Sequence, residues 1–303
     1  MFNVIVKMAF LNVWRKKSRS LLVVLMIGFS LSGLIFVQGL YDGMMVQMIN
    51  NATRSDSGDM SVYQKNYRLS KANSDVLIKP EITLSTIQKT SGVKSAVSRL
   101  HIEGLIASAN YSQGANIIGV DLINEQKHAR LNEYLIEGEY GFGKKERGVI
   151  LGAELAKKLK ITVGKKVILS SQDINHEISS LAFRVKGILR ANNSVIDKYA
   201  VYISLPKANA LIATKNSVTQ IAIMLEHKDQ MQTIWKQLTK NLDKENQLYS
   251  WKELYPTLLT MQEMTDAFNA VSYLIVFLVA AIGIFGVILV SVLERLREFG
   301  VMM

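Results

Sequence analysis

Cysteine is absent from the 303 residues, which excludes disulfides, thiolate nucleophiles and Cys-containing zinc or iron–sulfur sites. The absence leaves the compartment open, since a large domain can do without bridges. Histidine is scarce: His101, His128, His176 and His227 are scattered with no two four residues apart, so they read as surface or hydrogen-bonded residues and not as metal ligands. Also missing are a G-x-x-x-x-G-K-[ST] loop, a strand-anchored G-x-G-x-x-G, a G-x-S-x-G elbow and an H-E-x-x-H helix. Without them the chain has no phosphate cradle and no recognisable nucleophile or zinc site. The expectation is a noncatalytic chain with no cofactor of its own. The glycines of Gly141–Gly143 sit among turn formers and read as a loop, and the Asn51-Ala52-Thr53 glycosylation triplet falls in a predicted helix.

Acidic residues are lacking at the N-terminus, where residues 1–19 carry Lys7, Arg15, Lys16, Lys17 and Arg19 unopposed. These are five of the eleven surplus positive charges. The rest is spread through mixed-sign sequence as a solvated surface, not a nucleic-acid stripe.

What is present is two long uncharged runs. Residues 20–41, SLLVVLMIGFSLSGLIFVQGLY, extend as a helix over about 33 Å, enough for a hydrocarbon core of about 30 Å. Residues 271–293, VSYLIVFLVAAIGIFGVILVSVL, do the same. The first run outlasts the apolar core of a signal peptide, so it reads as an uncleaved anchor. The cations before it place residues 1–19 in the cytoplasm, residues 42–270 outside, and residues 294–303 back inside. Residues 2–14 read as a helix in the cytoplasmic membrane interface, with Trp14 at headgroup level and Arg15, Lys16, Lys17 and Arg19 facing anionic lipid. Gly28, Ser32 and Gly33 in the first span, and Gly283 and Gly286 in the second, form small-residue patches for close helix approach.

Beyond the spans, Tyr41, Met45, Met48 and Ala52 recur at helical spacing, as do Leu254, Leu258, Met261, Met264, Phe268 and Val271. Each membrane helix is therefore expected to continue as a stalk, the second starting near Pro256. The intervening domain mixes strand-like runs at 59–63, 102–109, 116–120, 163–170, 183–189, 200–203 and 220–225 with helical patterns at 81–90, 153–159, 207–212 and 228–242. The fold class is thus α-helical transmembrane segments with an α+β extracytoplasmic domain. The glycine-rich, charged segment 137–148 suggests a division into two lobes.

The opening MAFLNVWRKKSRSLLVVLMIGFSLSGLIFVQGLYDGM resembles the first helix and span of FtsX-like ABC permeases, particularly the LolC/LolE lipoprotein-releasing group. The stretch GEYGFGKKERGVILGAELAKKLKITVGKKVILSS, with FRVKGILRANNSVIDKYAVYISLPKANALI after it, resembles the MacB-like periplasmic core domain. The end resembles the family's E-R-x-x-E-[IF]-G turn, here Glu294, Arg295, Leu296, Arg297, Glu298, Phe299 and Gly300. The resemblance implies type VII ABC permease architecture in a bacterial inner membrane with the domain in the periplasm. It implies partners as well: cytoplasmic ABC ATPase subunits that bind ATP and Mg, a second permease subunit in a homo- or heterodimer, membrane lipid and a lipoprotein cargo, with no nucleic acid. ATP-driven closure would push on a coupling helix carrying Glu294, Arg295, Arg297, Glu298 and Gly300, and the stalks would carry the motion outward as mechanotransmission. Alternatives are peptide or drug efflux, a division-type regulator of cell-wall hydrolases, or, outside the family, a two-span sensor. Family members continue into third and fourth spans where this sequence stops at Met303, so a fragment of a longer permease is expected.

Overall fold

The structure, a computed structural model, describes residues 17–300 except residues 71 and 192. The chain divides into two compact units, the helical segments 17–47 and 257–300 and the domain Met48–Pro256.

In the first unit, helix α1 spans Lys17–Ala52 and the last helix of the chain spans Pro256–Gly300. At helical rise their 36 and 45 residues extend over about 54 and 68 Å, well beyond a hydrocarbon core of about 30 Å. Each holds an apolar window, of mean hydropathy 1.3 and 2.3, with none of it buried. Large side chains such as Phe29, Phe36, Phe277 and Phe285 are exposed along them. Such surfaces suit lipid, where backbone polar groups must be satisfied within the helix, and the chain is a membrane protein. The two helices touch through Tyr273, whose hydroxyl donates to Gln38 Oε1 at 2.5 Å.

The domain begins with a π-helical turn, Thr53–Ser57, and then alternates β1 (Met60–Gln64), α2 (Tyr67–Ser70), α3 (Pro80–Gln88), β2 (Val93–Ala107), β3 (Ser112–Val120), α4 (Leu122–His128), β4 (Leu135–Gly138), β5 (Gly148–Gly152), α5 (Ala153–Lys158), β6 (Lys166–Gln172), β7 (Ile178–Leu189), α6 (Ser194–Tyr199), β8 (Ala200–Ser204), α7 (Leu205–Leu211), β9 (Gln220–Leu225), α8 (Met231–Asn241), β10 (Asn246–Ser250) and α9 (Trp251–Leu254), before the final helix α10 (Pro256–Gly300). Local chemistry sets several of these starts. Pro80 opens α3, where its missing amide costs nothing. Asp121 caps α4 by accepting from Ile123 N, and Asn193 caps α6 by accepting from Val195 N. Ser250 and Glu253 form a capping box on α9.

The strands join in one mixed sheet, in the order β10-β1-β9-β2-β3-β8-β5-β7-β4, with β6 bridging β2 and β7. Only β3–β8 and β5–β7 run parallel among these pairs. Strand β2 is long enough to serve both halves, pairing with β9 through Arg99 and with β3 from Leu100 onward. Side chains that point alternately from β5 and β8 enter different cores: Val149, Leu151, Val201 and Ile203 pack in one, and Ile150 and Tyr202 in another. A third core, built on Met60, Val62, Ile221 and Ile223, lies under α3 and α8.

The expected lobe division at 137–148 is corrected by this topology. That segment links β4 to β5, and both strands pair with β7 in the same sheet. The sheet instead changes partners along β2, and the glycines of 137–148 serve the strand ends and the turn between them: Gly138, at the end of β4 with φ +87°, has no room for a Cβ against Lys186 O.

Candidate functional site

The most connected polar structure in the domain lies where the chain enters and leaves it. Helix α1 ends by widening: Gly58 N bonds Thr53 O at 2.7 Å, five residues back. The sequence Thr53-Arg54-Ser55-Asp56-Ser57 favours such loosening because its short hydroxyls compete for backbone carbonyls. Ser55 Oγ donates to Asn51 O, and Thr53 Oγ1 to Asn50 O at 3.3 Å. Gly58, at φ +68°, ends the turn, since a Cβ there would lie 2.4 Å from Ile223 O.

Asp56 is the hub of this turn. Its carbonyl accepts from Arg99 Nη1 and, at 3.2 Å, from Gln220 Nε2. Its carboxylate Oδ2 accepts from the Tyr255 hydroxyl at 2.9 Å, just before Pro256 opens α10. Its Oδ1 lies 3.9 Å from His101 Nε2, which is 2.7 Å from Gln220 Oε1. Asp59 repeats the arrangement three residues on. Its amide donates to Ile223 O, its Oδ2 accepts from Leu225 N, and its carbonyl accepts from Trp251 N. Lys228 Nζ stands 3.4 Å from Asp59 Oδ1 and donates to Asn50 Oδ1 at 2.8 Å. Residues 50–59 and 251–255, the two ends of the domain, are thereby bonded into one network with β2 and β9.

Behind Asp56 lies a buried ion pair. Arg99 and Glu125, 2% and 0% exposed, meet side-on, with Nε to Oε1 at 2.5 Å and Nη2 to Oε2 at 2.8 Å. Burial works against the Arg99 charge, but the Glu125 carboxylate and its hydrogen bonds hold the pKa of Arg99 above its ordinary value. One turn on, His128 Nδ1 lies 2.8 Å from Ser95 Oγ. Burial, and then the nearby Arg99 charge, push the His128 pKa down from 6.5 to about 3, so the imidazole is neutral. Burial raises the pKa of Tyr202 and of Tyr255, with Asp56 adding to the effect on Tyr255.

This arrangement fixes the two ends of the domain against β2 and β9. Among the described residues no group of His, Asp and Glu side chains could hold a metal ion. The residues singled out from sequence lie elsewhere. Trp14, Arg15 and Lys16 are outside the described residues, while Lys17 and Arg19 open α1. An added Cβ at Gly28, Gly33, Gly283 or Gly286 would meet nothing within 4 Å, and Ser32 is exposed. Glu294, Arg295, Arg297, Glu298 and Gly300 are in the last turns of α10, with their side chains outside the description. Sequence reasoning missed Asp56, Arg99, Glu125 and Tyr255. Its one available signal was a cation in the apolar strand run 96–102, where an unpartnered charge would be costly.

Two outcomes follow from the burial. Arg99→Ala leaves Glu125 charged and unpaired and is expected to destabilise the domain by about 3–5 kcal/mol, whereas Arg99→Met with Glu125→Leu recovers most of that loss; urea midpoints of the purified chain in detergent measure both. His128 is depressed in the folded state, so the unfolded chain binds the extra proton between pH 6.5 and about 3. Its contribution is complete above pH 6.5 and is lost as pH falls, by about 1.4 kcal/mol per unit within that window. Urea titrations at descending pH should show this slope, and His128→Asn should flatten it.

The model of the MacB-like periplasmic core domain matches residues 20–241 of the chain. No curated protein matches the chain. Among solved structures, the extracellular domain of the noncanonical ABC-type transporter YknZ from Gram-positive bacteria is similar at 14% identity and a TM-score of 0.44, covering 63% of this chain and 99% of that one. The periplasmic region of MacB from Actinobacillus actinomycetemcomitans is similar at 15% identity and a TM-score of 0.46, covering 66% and 91%. A domain of a putative permease protein from Porphyromonas gingivalis is similar at 16% identity and a TM-score of 0.38, covering 67% and 95%.

Proposed function

The chain belongs to the family of the MacB-like periplasmic core domain, whose members are ABC permease components, and from that premise we propose that it carries ATP-driven motion from a cytoplasmic ATPase to its outer domain, releasing lipoproteins from a bacterial inner membrane. ATP and Mg belong to the partner ATPase in this reading, and the permease is noncatalytic. The observation that carries it is the bonding of Asp56 to both Arg99 and Tyr255. The first and last residues of the domain share one stiff joint, so a displacement of either is resisted by the whole sheet. Two helices longer than a bilayer is thick support the same reading, because they have length to spare for stalks.

Orientation and contacts are assigned from the sequence. The cations Arg15, Lys16, Lys17 and Arg19, with Trp14, set the N-terminus at the cytoplasmic face. Glu294, Arg295, Arg297, Glu298 and Gly300 offer the ATPase a charged helical surface suited to ion pairs across an interface. Gly28, Ser32, Gly33, Gly283 and Gly286 are the close-approach points for further helices, including those of a second permease subunit. Lipoprotein cargo rests on the likeness of the opening segment to the lipoprotein-releasing group, while the Glu294–Gly300 turn is like that of the FtsX-like family as a whole.

The complete permease, purified from membranes with its ATPase, should carry lipid-modified proteins identifiable by mass spectrometry, and ATP should discharge them. Recovery of no lipid-modified protein, with export of a soluble peptide or drug from the same vesicles, overturns the cargo assignment. Glu294→Lys combined with Glu298→Lys should cut permease-stimulated ATP hydrolysis by about tenfold or more, as expected when opposed charges at an interface are replaced by like ones. Unchanged assembly and unchanged stimulation would remove that surface from the coupling path.

A further inference from the structure

The first half of β2 has a strand neighbour on one side only. Strand β9 pairs with it from Val93 opposite Leu225 to Arg99 opposite Gln220. On the other side β3 joins only at Leu100, opposite Gly119, and leaves the sheet at Asp121, which turns the chain into α4. Among the described residues no strand continues the line of β3 alongside Val93–Arg99.

The backbone of this half-strand has a definite direction. Arg99 O accepts from Thr219 N at 3.0 Å, so the peptide groups of Arg99 face β9. Strand alternation then turns those of Ala96 and Ser98 to the open side. Consistent with this, Gln88 Nε2 reaches over from α3 to donate to Ala96 O at 3.1 Å, standing where an added strand would donate. Unpaired edges of this kind template pairing with another chain.

The open edge lies at the bottom of a cleft. Helix α3 packs on one face of the half-strand, where Ala96 and Ile87 share a core, and α4 packs on the other, through Ser95–His128 and Arg99–Glu125. Between the helices is a cleft of about 240 Å³ that includes Ala96–Ser98, and it continues into one of about 230 Å³ that includes Val93–Val97. Ala96, Val97 and Asn124 line both. The groove is charged at its two ends in opposite senses: Glu81 and Asp121 stand at the Ser98 end, Lys94 and Lys127 at the Val93 end.

We propose that this groove binds an extended peptide segment, added as a strand to β2 by backbone hydrogen bonds. The segment continues the line of β3 and so runs antiparallel to β2. Its leading end, carrying an amino group or a basic side chain, meets Glu81 and Asp121, and its trailing acidic end meets Lys94 and Lys127. The stretch from Val93 to Ser98 accommodates about six residues at strand rise. Backbone bonds hold such a ligand while side chains alternate between the α3 and α4 walls, which gives affinity for many sequences and selectivity by charge polarity. This site is independent of the transport assignment, because it rests on the sheet edge alone.

The test uses the purified chain in detergent micelles and a fluorescein-labelled hexapeptide, Lys-Val-Thr-Val-Thr-Glu, followed by fluorescence anisotropy. Saturable binding is expected. N-methylation of the alternate amides that face β2 should weaken it by about tenfold or more, while methylation of the intervening amides leaves it unchanged, a difference that side-chain adsorption does not produce. The reversed peptide Glu-Thr-Val-Thr-Val-Lys should bind more weakly to the wild type. Lys94→Glu combined with Lys127→Glu lies on exposed positions, leaves both ends of the groove acidic and should abolish that preference. Equal weakening by both methylation patterns, indifference to charge reversal, or no saturable binding each overturns the proposal.

Discussion

A guanidinium and a carboxylate removed from water together, Arg99 and Glu125, set the terms on which this domain can fold. Neither charge is tolerable inside the protein unless it is paired and hydrogen-bonded. Two of the Arg99 nitrogens are spent on Glu125, and a third goes to the carbonyl of Asp56. That third bond requires a carbonyl to point inward from the end of α1, which a regular helix does not offer; the widened turn of Thr53–Ser57 does. Placement of Asp56 then fixes Tyr255 and, through Gln220, the start of β9. Strand β2, helix α4 and both chain crossings are consequently specified by one desolvated pair.

The same logic separates what this sequence declared openly from what it kept hidden. The two long helices were legible because lipid demands an unbroken apolar run, and α1 and α10 cover the runs at 20–41 and 271–293. Strand β9, Gln220–Leu225, and helix α5, Ala153–Lys158, matched their local patterns because each has one dominant environment. Strand β5, GVILG, did not show itself: buried on both faces, it lacks the alternation that marks a half-exposed strand, and its glycine-rich approach imitates a boundary. Strand β10, NQLYS, is largely polar and short, so only its pairing with β1 reveals it. The joint was less legible still. Glu125 is 26 residues from Arg99 and Tyr255 is 199 from Asp56, and no periodicity links residues so far apart.

The groove beside β2 belongs to the same economy of constraints. Helix α4 must turn back at Asp121 to deliver Glu125 to Arg99, and in doing so it takes β3 out of the sheet. The half-strand left behind packs Ala96 toward α3 and pairs Arg99 with α4, while its outer backbone is served only by the Gln88 amide among the contacts described. An open edge is thus the geometric counterpart of the buried pair, and three of the flanking charges, Lys94, Asp121 and Lys127, are placed on or at the start of the elements that the pair joins.

Strand β1 pairs with β9 and β10, so residues 60–64 acquire hydrogen-bonded neighbours only when residues 220–223 and 246–250 are present. During synthesis about 160 residues must therefore follow β1 before either of its edges is covered, which makes the domain a high-contact-order fold that closes late. By then the first long helix is already made, and β1, MSVYQ, waits with both edges bare. Sheet completion is in this way a matter of timing as well as energy: the last strand to emerge seals the first.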